Sequence, residues 1–157
     1  MRFIGGEANM PHAGLMNEKI MGASEGPLLR ARLHWRGGMR RLKEGKLSAG
    51  IVTLYDALEA AMQAYAANPA AIPPLSLFPG ENVNNEKTLF HALVRSHVLD
   101  STFDFEAFDH LTEKALQEEL PPFDYRPLVN TLEHTMMRLG VMPFSEASLP
   151  AEDPATF

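Results

Sequence analysis

From Leu47 to Ala67 the chain reads LSAGIVTLYDALEAAMQAYAA, and the reading of this stretch decides the fold. Ile51, Leu54, Tyr55, Leu58, Met62 and Tyr65 recur at helical spacing and share one face. Ala57, Ala60 and Ala64 lie on the other side, and Asp56, Glu59 and Gln63 leave only a narrow polar strip between. A helix with one bulky face and one small-residue face packs on two sides, so this helix is expected at the centre of the domain. Asn68-Pro69 ends it, because proline cannot continue a helical hydrogen-bond ladder.

Working outward, the preceding pattern runs from about Leu28 to Glu44 and stops at Gly45, a residue suited to the left-handed turn after a helix. Leu28, Trp35, Met39 and Leu42 form its apolar stripe. The Gly37-Gly38 pair interrupts that stripe and permits a bend or a close helix crossing. After the central helix comes a crossover containing Pro73, Pro74 and Pro79. Three further patterns follow, at about Glu86 to Leu99, Phe105 to Leu120 and Arg126 to Leu139. Asn85 and Asp104 are the expected N-caps, Pro127 fits a first turn, and Gly140 with Pro143 closes the series. No segment alternates with a period of two, so no sheet is expected.

The predicted architecture is all-α: an antiparallel helical bundle of about five helices over residues 28–143. An irregular Gly- and Met-rich arm (1–27) precedes it, and an acidic, Pro-containing tail (144–157) follows. With 45% hydrophobic and 22% charged residues, the chain is too apolar for a disordered one and reads as a single soluble domain. A net charge of −6 argues against a wholly basic nucleic-acid binder. The absence of cysteine removes disulfides, thiolate nucleophiles and Cys-ligated metals. No membrane span and no signal-like amino terminus are visible, which makes the cytoplasm the expected compartment. No cofactor is expected, since phosphate-cradling glycine loops and nucleophile elbows are missing and the methionines are too scattered for copper.

Three clusters have chemical capacity. Half of the 14 Lys and Arg fall between Arg30 and Lys46, with Arg32, Arg36 and Arg40 at i, i+4 spacing and Lys43 on the same side. Such a row suits backbone phosphates; the competing reading is a face that pairs with acids elsewhere, notably the acidic fourth helix. His97 falls among Leu89, Phe90, Leu93 and Val94 in the third pattern, close to Arg95. It reads as a core histidine bonded to a carbonyl or carboxylate, or alternatively as a general acid or base beside Arg95. In the fourth pattern Glu106, His110 and Glu113 share a polar side, a remote option for a metal that would need ligands from another helix.

The helix count, the proline-rich crossover and the compact central helix resemble bundles of the HEPN class, many of them ribonucleases or nucleotide-modifying partners. That class carries an Arg and a His near a subunit interface. Neither Arg95-Ser96-His97 nor Arg30-Ala31-Arg32-Leu33-His34 has its spacing. The resemblance implies, as an alternative function, RNA binding or cleavage through the basic first helix and Arg95 with His97. The leading expectation is a non-enzymatic protein acting through protein contact, with a partner or with itself as a homodimer. Trp35, Tyr55 and Tyr65 would then be interface anchors if exposed.

Overall fold

The computed structural model describes residues 22–156. Five helices follow one another: α1 (Glu25–Lys43), α2 (Leu47–Ala66), α3 (Glu86–Arg95), α4 (Phe105–Gln117) and α5 (Arg126–Arg138), with two short 3-10 turns at Glu146–Ser148 and Pro154–Thr156. No strand occurs among the described residues, and the bundle is all-α. None of their helices is long and apolar enough to cross a membrane. The arm expected at 1–27 lies outside the described residues as far as Met21; α1 begins within its last part, at Glu25.

The central helix behaves as its two faces dictate. α1, α3, α4 and α5 all pack on α2. Ile51, Leu54, Leu58 and Met62 are buried, and so are Ala57, Ala60 and Ala61 on the small side. α1 and α2 form a tight antiparallel hairpin. A Cβ on Gly38 would stand 2.7 Å from Leu54 Cδ2, and one on Gly50 would stand 2.6 Å from Leu42 Cδ2. Glycine is therefore needed on both helices at this crossing. The Gly37-Gly38 pair serves close approach.

Helix ends follow local chemistry. The Asn85 side chain accepts from Thr88 N–H at 2.9 Å and Asp104 accepts from Ala107 N–H at 3.0 Å, so both expected caps are in place. Gly45 and Gly140 take positive φ, 80° and 84°. Each closes the same pair of bonds: Gly45 N–H to Leu42 O with Lys46 N–H to Arg41 O, and Gly140 N–H to Met137 O with Val141 N–H to Met136 O.

Two ends fall short of the sequence reading. α4 stops at Gln117 because Glu118 turns extended; Ser48 Oγ donates to its carbonyl at 2.7 Å and accepts from Leu120 N–H at 2.8 Å. The Glu119 carboxylate meanwhile accepts from Ser48 N–H at 3.3 Å, in the first turn of α2. α3 stops at Arg95, short of Leu99, for a reason that concerns His97 directly.

Candidate interaction surfaces

The arginine row of α1 is already occupied. Arg32 Nε donates to Val141 O at 2.9 Å and its guanidinium lies 5.6 Å from the Phe144 ring centroid. Arg36 Nη1 donates to Pro150 O at 2.7 Å, and Arg40 Nε pairs with the Glu152 carboxylate at 3.0 Å. Successive turns of α1 thus hold successive parts of the segment after α5, which runs alongside as a strap. Arg40 also reaches Glu44 at 3.3 Å, whereas Lys43 is exposed. The sequence reading looked to the acidic fourth helix for partners of this row; Arg40 pairs instead with Glu44 on its own helix and with Glu152 in the strap. Glu152 lies 112 residues along the chain from Arg40, and no spacing rule could announce it.

Arg95 and His97 lie in different surroundings. Arg95 clamps the proline-rich crossover: Nη1 and Nη2 take the Glu81 carboxylate at 3.0 and 2.7 Å, Nη2 also donates to Ser76 O at 2.7 Å, and the cation sits 3.8 Å from the Phe78 ring centroid. Its guanidinium in turn holds the Glu81 carboxyl below the ordinary range, helped by a bond from Phe78 N–H. His97 is exposed and has φ 64°, the left-handed conformation. His97 N–H bonds Val94 O at 3.0 Å and Val98 N–H bonds Leu93 O at 3.0 Å, the closure that Gly45 and Gly140 provide elsewhere. The core placement of His97 is therefore overturned: the turn lifts it off the apolar face, and Val98 and Leu99 enter the core in its stead. Among the described residues the buried histidine is His34, at 1% exposure on α1.

The acidic fourth helix faces outward. Glu106 pairs with Lys87 at 2.8 Å, and His110 and Glu113 are exposed. No group of His, Asp or Glu side chains among the described residues is placed to hold a metal ion. The carboxylates with unusual chemistry are elsewhere, on the narrow polar strip of α2. Burial pushes the Asp56 carboxyl up to about 6. Burial, then the bond to Glu86 and its charge, pushes Glu59 up to about 8, against a smaller opposing pull from Arg30. Glu86, which receives that bond at the start of α3, is held below its ordinary value. Glu59 and Glu86 thus face each other across the α2–α3 joint, where burial and the charge of Glu86 favour the protonated form of Glu59. Beside them Tyr55 Oη donates to Asp109 at 2.9 Å, and burial followed by that bond raises the phenol. The sequence showed the strip, but its partner Glu86 is brought there only by the long crossover.

The three aromatic residues expected as anchors are mostly inside. Trp35 and Tyr65 are 8% and 9% exposed, and Tyr65 Oη donates to Pro73 O. Tyr55 is half-buried against Phe105 and Phe108, with ring centroids 6.0 and 5.6 Å away. Accessible apolar surface lies instead where α4 and α5 diverge. A groove of about 360 Å³ opens there, floored by Phe103 and Phe108 and walled by Ala107 and Leu111 of α4 and by Pro127 and Leu128 of α5. Phe123, 36% exposed, stands on its rim. Its walls are exposed or half-exposed apolar positions beside each helix's buried stripe, a signal the sequence reading passed over. Comparison with protein-family models, curated proteins and solved structures finds no match to this chain.

Proposed function

We propose that this chain is a non-enzymatic helical protein that acts through protein–protein contact and associates with a second copy of itself. The observation that carries the reading is the apolar groove between α4 and α5. Its volume of about 360 Å³ and its aromatic floor can take the apolar ridge of a helix, and only Thr102, Asp104 and Thr131 bring polar side chains to it. A two-fold pair of copies presents this surface to itself, so one self-complementary patch suffices. Two further observations favour contact over catalysis. The expected Arg95 and His97 pair serves a loop clamp and a helix turn. The arginines of α1 hold the chain's own strap instead of standing open to phosphate.

Light scattering on the untagged full chain tests the proposal. A dimer mass is expected, with Leu128→Glu and Leu111→Glu each returning a folded monomer. A wild-type monomer at 100-fold varied concentration, or a dimer indifferent to both substitutions, overturns it.

A further inference from the structure

Arg36 is held at one corner only. Nη1 meets Pro150 O at 2.7 Å, while Nε and Nη2 are buried without a hydrogen-bond partner. Those two nitrogens form the side-on edge of the guanidinium, whose parallel N–H groups match the two oxygens of a carboxylate. A single carbonyl is a poor occupant for a cation built for two oxygens, and buried donors without acceptors are costly. The rest of the strap's hold on α1 comes from separate points on either side of the Glu146–Ser148 turn. Val141 supplies a carbonyl and Phe144 an aromatic ring under Arg32, and Glu152 supplies a carboxylate to Arg40. Between these points, residues 145–148 are exposed, so little packing fixes the middle of the strap.

We propose that the Arg32, Arg36 and Arg40 row is a binding site for an extended acidic peptide segment of a partner protein, and that residues 141–153 occupy it in cis. The competing segment carries an aromatic residue toward Arg32 and a carboxylate that fills the Arg36 side-on edge, which the strap leaves empty. Arg40 then passes from Glu152 to a second acid of the partner. The site is separate from the α4–α5 groove, so its failure would leave the self-association reading standing.

The test uses the full chain and, as probe, a fluorescent synthetic peptide with the sequence of residues 141–153 but with Pro150 replaced by Asp (VMPFSEASLDAED). Glu152→Gln removes the Glu152 carboxylate from Arg40 and is expected to tighten probe binding at least tenfold over the wild type. Adding Arg36→Gln to that variant is expected to undo the gain, and Arg36→Lys to restore only part of it, since lysine has no side-on edge. Far-ultraviolet circular dichroism establishes that each variant is folded, and the lysine variant keeps the charge should the glutamine one unfold. Equal binding by wild type and Glu152→Gln overturns the proposal, as does binding indifferent to both Arg36 substitutions. Displacement of the probe by equimolar inorganic phosphate would also overturn it, making the row a phosphate site.

Discussion

At the scale of single residues, His97 shows how one backbone angle reassigns a side chain. Its φ of 64° suits glycine, as the matching turns at Gly45 and Gly140 illustrate, and costs an ordinary L-residue about 1 kcal/mol or more. His97→Gly is therefore expected to stabilise the protein by roughly 0.5–1 kcal/mol in urea unfolding. A loss of similar size would mean that the imidazole makes contacts that matter. Helical periodicity placed His97 on the apolar face because it counted the helix on to Leu99, and nothing in the local sequence marks a histidine as the left-handed residue. Asn85 and Asp104 were legible for the opposite reason: a cap bonds a backbone N–H three residues away, so its cause is entirely local.

Elements meet through close approaches that are partly written in the sequence and partly not. The α1–α2 crossing needs Gly38 and Gly50, where an added Cβ would also lie 3.2 Å from Leu54 N and 3.1 Å from Leu42 N, backbone atoms that cannot rotate away. Alanine gains about 1 kcal/mol of helix propensity, yet overpacking costs about 1–3 kcal/mol, so Gly38→Ala should lower stability on balance. Thermal unfolding decides it, and a rise in Tm would show that the hairpin can open without penalty. The α2–α4 joint rests on Ser48. Ser48→Ala leaves the Leu120 N–H buried without its acceptor and should cost about 1–3 kcal/mol by urea unfolding, while a loss below about 0.5 kcal/mol would count against that bond. A pair of glycines invites a close-crossing reading, and the Gly37-Gly38 pair received one. Ser48 gave no comparable sign, because its partners lie 70 and 72 residues away.

Across the whole molecule, the long crossover sets how stability depends on pH. It brings Glu86 of α3 against Glu59 of α2, with Asp56 beside them, Arg30 of α1 facing the pair, and the Tyr55–Asp109 and Lys87–Glu106 contacts flanking it. In the unfolded chain Glu59 loses its proton near 4.5, whereas the folded chain keeps it to about 8. Between those values the folded state binds more protons than the unfolded one, so stability falls as pH rises through the window. Asp56 acts in the same direction between about 3.8 and 6. Glu86, Glu81, Asp100 and Asp124 are held low and act in the opposite sense, losing their contribution as pH falls below the ordinary carboxylate range. The protein is therefore expected to be most stable near the bottom of the Glu59 window and to weaken toward pH 8. Glu59→Gln keeps a donor for Glu86 without a proton to lose, and should flatten the decline between pH 6 and 8.5 while raising Tm at its upper end. Asp56→Asn should flatten it only below about pH 6. Thermal melts of the three proteins across this range separate the contributions; parallel curves for wild type and Glu59→Gln would mean that Glu59 does not hold its proton into this range, and that the start of α3 is fixed by other contacts, such as Gln63 of α2 to Val83 O in the crossover.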